Sequence, residues 1–259
     1  MLLILFNTFI LTTFSILALW IFSILIKDIS IIDTAFAPII LLITLLSIVL
    51  SDAQNLTKGI IFFSVAIWSV RLTYLMLKRK IGHGEDVRYT KLRDWKKSGL
   101  NLNLFVLKQV YLLQGIVIWC VTLPIQFVLS GDVEDNISPI NLIGLTIMLI
   151  GFLWEVISDN QLDNFKNNSS QSKDFLKTGL WAYSRHPNYF GEVFFWWGIF
   201  IFSLSTYFSL IAIIGPILFT YLIFNVTGVK TMDKRMSKNY PGYKDHIDST
   251  NAMIPKILS

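Results

Sequence analysis

Residues 1–27, MLLILFNTFILTTFSILALWIFSILIK, contain no Asp, Glu, Lys or Arg before Lys27. This apolar run exceeds a signal peptide's core and no basic segment precedes it, so it reads as a retained first helix. Roughly 20 apolar residues, each rising about 1.5 Å, cross a bilayer core. The rest of the chain repeats the theme. Of 259 residues 54% are hydrophobic and 15% charged, where a soluble domain carries about 25% charged residues. The runs are continuous rather than alternating, which argues for helices and against membrane strands. Spans are expected at about 2–26, 31–50, 57–78, 104–129, 138–158, 188–204 and 207–227. SLSTYFS at 203–209 reads as a short turn between the last two. The expected fold is an all-α polytopic membrane bundle of seven helices, a single domain over residues 1–259.

Lysine and arginine orient such a bundle. One side collects Lys78, Arg79, Lys80, Arg88, Lys91, Arg93, Lys96 and Lys97 around loop 79–103, and Lys166, Lys173, Lys177 and Arg185 in loop 159–187. The tail from residue 228 adds Lys230, Lys234, Arg235, Lys238, Lys244 and Lys256. The other side has Lys58 and the acidic SGDVEDN with Asp132, Glu134 and Asp135. An odd number of spans then puts the N-terminus outside and the C-terminus in the cytoplasm. The net charge of +5 is explained by topology, so nucleic-acid binding loses its motivation. The lone Cys120 supplies neither a disulfide framework nor a Cys-built metal site. With no sorting signal, the composition fits a bacterial inner membrane.

Four ionisable residues fall inside the expected spans: Asp33, Arg71, Glu155 and Glu192. Intramembrane charge costs a few kcal/mol and marks functional sites. Counted from the nearest polar residues, all four lie roughly 6–10 Å inside one face. They suggest a cavity open to the cytosol, entered by an apolar substrate from lipid and by a polar cofactor from water. The alternative is that Arg71 pairs with an acid while the others snorkel.

The polar residues concentrate in GLWAYSRHPNYFGEVFFWWG, residues 179–198. Pro187 suits a first helical turn, placing Arg185 and His186 at a helix entry that favours anions. Asn188 and Glu192 share a helix face. Tyr189 and the neighbouring Trp and Tyr side chains offer flat surfaces for a ring or a lipid; an interfacial aromatic belt with His186 as cap explains them equally well. Upstream, GFLWEVISDNQLDNFK sets Glu155 and Asp159 one turn apart, with Gln161 at the water boundary. No HxxxH or HExxH pattern exists and the histidines, His83, His186 and His246, are scattered, so no metal is expected. No glycine-rich phosphate fingerprint appears either. In the tail, Pro241-Gly242 marks a turn. The tail either folds over the cavity mouth, bringing Arg235, Tyr240 and Tyr243 to a ligand, or lies solvated near anionic lipid.

These motifs together resemble the DUF1295 family. The resemblance rests on GLWAYSRHPNYFGE with WWG, on Glu155, Asp159 and Gln161 upstream, and on YPGY near the end. Asp33 in IID, Arg71 in WSVRL, and GHGEDVRY fit the same pattern. The family is related to the C-terminal domain of steroid 5-alpha-reductases and more loosely to isoprenylcysteine carboxyl methyltransferases. The first relationship implies a membrane oxidoreductase that uses NADPH to reduce a C=C bond conjugated to a ketone in a lipophilic substrate. Asn188 and Glu192 would meet the nicotinamide half of the cofactor. Asp159, Arg185, Arg235 and Tyr240 would meet its phosphates and adenosine. Asp33 or Arg71 would bond the ketone, with Tyr74 as the candidate tyrosine. SRHPNYFGE and VKTMDKRMSKN replace the corresponding reductase segments, so a steroid substrate does not follow. The second relationship implies an S-adenosylmethionine-dependent methyltransferase, although the tail has no glutamate. A non-catalytic transporter or lipid-binding protein is the remaining expectation; no inverted repeat supports it.

Overall fold

The computed structural model describes residues 1–52, 54–82, 84–96, 100–131, 136–168, 174–206, 209–226 and 228–256. His83, Lys97, Asp132, Glu134, Asp135, Lys173 and the centre of the 203–209 turn lie outside the described residues. Every regular element among the described residues is helical. Six stretches are long and apolar enough to cross a membrane: Leu2–Ile26, Ile31–Val49, Leu56–Lys80, Asn101–Val121, Pro139–Asn168 and Leu210–Asn239. Their outward faces remain apolar. On the third stretch Phe63, Ile67, Val70 and Tyr74 follow helical spacing and are all exposed, the surface a bilayer covers.

The chain divides into two compact units. The first comprises Met1–Ile137 and Ser205–Gly215. It contains α1 (Leu2–Ile26), α2 (Ile31–Val49), α3 (Leu56–Lys80), α4 (Val87–Lys96), α5 (Leu100–Val106), α6 (Leu113–Val121) and α7 (Leu123–Ser130). Its core includes the fully buried Ile32, Ile40, Ile61, Val65, Trp68 and Ile118. Helix α1 stops because Lys27 turns left-handed at φ 57° and returns its N–H to Ser23. At the start of α3 the Asn55 side chain accepts from the Lys58 N–H.

The expected span 104–129 is not one helix. Pro124 lies at the start of α7, and α6 ends before it at Thr122, because proline has no N–H to continue the ladder. Residues Leu107–Leu112 form a π-helical stretch between α5 and α6. A buried polar network holds this region: Thr8 donates to Gln126 at 2.6 Å, the Trp119 indole donates to Thr8, and Gln126 donates to Thr122. In hydrocarbon such satisfied groups join helices.

The second unit comprises Ser138–Leu204 and Pro216–Ser259. Its elements are α8 (Pro139–Asn168), a 3-10 turn (Gly179–Ala182), α9 (Pro187–Ser203), most of α10 (Ile214–Asn225), α11 (Val229–Asn239) and α12 (Tyr243–Ser249). Helix α8 continues ten residues beyond the expected 158, since polar residues without Pro or Gly do not end a helix. Pro187 occupies the first turn of α9, as expected of its fixed φ.

Helices α8 and α9 run antiparallel through a glycine seam. A Cβ on Gly151 would lie 2.5 Å from the Phe195 nitrogen, and one on Gly191 would lie 2.5 Å from the Glu155 nitrogen. Gly144 and Gly198 repeat the contact seven residues along each helix. Without side chains the backbones touch, the packing on which membrane helices rely. Gly191→Leu should therefore separate α8 from α9 and cost about 1–3 kcal/mol as an overpacked contact. A drop in thermal midpoint relative to an exposed control such as Leu149→Ala checks it, and equal midpoints would refute the seam.

Candidate functional site

The glycine seam sets the first polar cluster. One turn past Gly151, Glu155 is buried, and Asp159 follows a turn later, also buried. On α9, Asn188 and Glu192 occupy the facing end, half-buried. The Asn188 amide approaches an Asp159 carboxylate oxygen at 3.4 Å. Thus Glu155, Asp159, Asn188 and Glu192 gather at one end of the α8–α9 pair, as their helix positions require.

Gln161 has a different setting. Its side-chain oxygen accepts the Leu180 N–H at 3.0 Å, and the Trp181 indole donates to the Ser158 carbonyl. Together they dock the 3-10 turn on α8. Gly179 sits there at φ +65°, where any Cβ would strike the Gln161 amide.

Arg185, His186, Tyr243 and Asp233 form the second cluster. The Arg185 guanidinium forks onto Asp233 at 2.7 and 3.3 Å, and its remaining terminal nitrogen donates to the Ile247 and Thr250 carbonyls. His186 Nε2 lies 2.8 Å from Asp233, and the Tyr243 hydroxyl donates to the same carboxylate at 2.8 Å. His186 occupies the N-cap position of α9, yet its ring makes no cap bond; it stacks on Tyr189 at 5.3 Å instead. The backbone N–H groups of Arg185 and His186, expected to face an anion, donate to the carbonyls of Asn251 and Ala252. The tail is thereby strapped across the entry of α9.

Burial and the Asp233 carboxylate push the Tyr243 phenol above its ordinary range, so it remains a donor at neutral pH. His246 packs against Phe175 and Tyr243. Burial, then Arg185 and Lys177, push its imidazole below the ordinary range. Tyr240 also packs its ring on Phe175, at 5.8 Å. Arg235 points outward, exposed on α11.

A third cluster belongs to the other unit. Asp33 accepts from Arg88 at 2.7 Å and from the Tyr89 hydroxyl at 2.9 Å. Burial and the Asp33 carboxylate push the Tyr89 phenol above its ordinary range. Nearby, Glu85 accepts from Arg93 and from the Ile29 N–H, while Lys80 reaches Asp28 at 2.5 Å. Burial opposes ionisation of Asp28, but bonds from Lys80 and Ser30 bring its carboxyl below the ordinary range. The segment GEDVRY is thus clamped onto the α1–α2 turn. Tyr74, the expected tyrosine, stands 67% exposed on the outward stripe of α3, and Arg71 lies half-buried on the same helix.

Sequence reasoning missed Asp233, Arg88 and Tyr89. Asp233 was the sole acid among four cations in VKTMDKRMSKN, and Arg88 and Tyr89 lay inside a motif already noted for the family. Neither signal names a partner, because Arg185 and His186 lie 48 and 47 residues from Asp233, and Asp33 lies 55 and 56 residues from Arg88 and Tyr89.

Removing the hub should release the tail. Asp233→Ala leaves the buried Arg185 and His186 without their carboxylate, at a cost of about 3–5 kcal/mol; Asp233→Asn, which keeps an acceptor, should lose less. Limited proteolysis cutting after 240 checks this, and unchanged resistance in Asp233→Ala would contradict it. The depressed His246 stabilises the folded tail above its ordinary pKa of about 6.5, and this contribution fades as pH falls below it. Tail amide protection, corrected for the intrinsic pH dependence of exchange, should consequently fall on acidification, less so in His246→Gln; identical pH profiles of protection would count against it.

The sequence profile described as "Protein of unknown function (DUF1295)" matches residues 19–250. A curated relative, an uncharacterised protein of Schizosaccharomyces pombe, is 23% identical over 227 residues, covering 76% of this chain and 63% of that protein. The chain therefore spans less than two thirds of that relative's length. No solved structure matches. With a profile match that runs from α1 to the end of α12 and takes in all three polar clusters, the chain belongs to the DUF1295 family.

Proposed function

We propose that this membrane protein is an NADPH-dependent oxidoreductase that reduces a C=C bond conjugated to a ketone in a lipophilic substrate. The observation that carries the reading is the cluster of Glu155, Asp159, Asn188 and Glu192 at one end of the glycine-sealed α8–α9 pair. Three carboxylates and an amide suit the hydroxyl and carboxamide groups of a nicotinamide riboside, which are mostly donors. Asn188 and Glu192 orient the ring; Glu155 and Asp159 take ribose hydroxyls. The Arg185 fork is already engaged by Asp233 and the tail, so the reading places no phosphate on it. When bound, NADPH supplies the hydride.

The reading also takes α9 as a seventh crossing. Its 17 residues lie at the short end of the range for spanning helices. Seven spans and the distribution of lysine and arginine give an external N-terminus and a cytoplasmic C-terminus. The curated relative is fungal, and the reading specifies a multi-pass membrane location without a bacterial one.

Thermal unfolding of detergent-purified protein with NADPH, NADH or S-adenosylmethionine tests the reading. NADPH at about 100 times its Kd should stabilise by roughly 2.7 kcal/mol, and Glu192→Gln or Asn188→Ala should abolish the shift. Stabilisation by S-adenosylmethionine alone would overturn reduction in favour of methyl transfer. Stabilisation by none would leave the non-catalytic reading.

A further inference from the structure

We propose that the outer face of α11, carrying Lys230, Lys234, Arg235 and Lys238, is a seat for the anionic headgroups of phospholipids. The three lysines are spaced four apart, each step turning about 40° around the helix, and Arg235 extends the arc by about 60°. All four side chains are exposed. The helix's single acid, Asp233, faces the opposite way, where Arg185 and His186 occupy its carboxylate. Val229 is buried on that inward side. The helix therefore presents four positive charges outward while its negative charge is neutralised within the fold.

Like charges four apart on a helix repel, so the arrangement works against the isolated helix and favours an external anion. Position identifies that anion. Helix α10 carries no charged residue, and Lys230 follows its last residue, Asn225, by five positions, with its ammonium 2.7 Å from the Asn225 side-chain oxygen. The basic arc thus begins just past the apolar part of the Leu210–Asn239 stretch, at headgroup level. Basic clusters beside a spanning helix attract anionic lipid, each residue contributing additively while salt is low. The inference is independent of the proposed reductase activity.

Amide exchange of α11 in the full-length protein, reconstituted in nanodiscs, tests it. Relative to phosphatidylcholine discs, discs holding about one third phosphatidylglycerol should slow α11 exchange at least roughly threefold. Salt at roughly 0.5 M should erase the difference. The variant K230Q/K234Q/K238Q should lose the response, whereas K230R/K234R/K238R should keep it. Inorganic phosphate added to phosphatidylcholine discs should have no effect. Equal exchange in both kinds of disc would overturn the proposal, as would an undiminished response in the glutamine variant. Slowing by free phosphate, or by an acidic polypeptide but not by phosphatidylglycerol, would also overturn it. Should the glutamine variant fail to fold, the lipid comparison and the salt dependence of the wild type decide alone.

Discussion

Backbone contact between α8 and α9 governs the second unit. Gly151 and Gly191 let the two helices approach so closely that a single methyl group would collide with main chain. Helices in lipid gain little from hydrophobic burial against one another, so such contact and polar bonding supply the attraction. It also answers the cost of charge in a membrane. Glu155 starts one turn from the Gly151 contact and Glu192 sits beside Gly191 in sequence. The seam therefore turns these acids toward protein.

Carboxylates also anchor the polar segments. In the second unit Asp233 takes bonds from Arg185, His186 and Tyr243, tying α11 and α12 to the entry of α9. In the first unit Glu85 accepts from the Ile29 N–H and Asp33 takes bonds from Arg88 and Tyr89, tying the segment after α3 to the α1–α2 turn and the start of α2. Charge-assisted bonds of this kind are stronger than neutral ones, and the guanidinium fork adds direction. Each anchor joins residues remote in sequence. Arg185 illustrates the consequence: a residue whose chemistry suits phosphate is committed to holding the chain's own tail.

The sequence made much of this visible. Continuous apolar runs located the starts of the six crossing stretches to within three residues, because length and hydropathy alone decide whether a helix can span, whereas three of the ends were missed by eight to twelve residues. Pro187 announced the start of α9, and the four-residue spacings of Glu155 with Asp159 and Asn188 with Glu192 announced shared faces. The break before α7 was not read: the apolar run around Pro124 suggested one continuous span over 104–129. Asp33 stood out in the sequence as an acid inside an apolar run, whereas the tyrosine that bonds it did not: Tyr74 was expected, and the fold of GEDVRY onto the α1–α2 turn brings Tyr89 to Asp33 instead.

What the sequence determined by itself is therefore local: apolar length, helix periodicity, the proline stops and the one-sided crowding of lysine and arginine. These depend on each residue's own hydration and backbone geometry, and no distant partner is needed to read them. Tertiary structure decided the pairings: Gly151 against α9, Arg185 on Asp233, and Tyr89 rather than Tyr74 on Asp33. A side chain's composition limits the bonds it can form. Which bond it does form depends on which group the packed helices bring within about 3 Å.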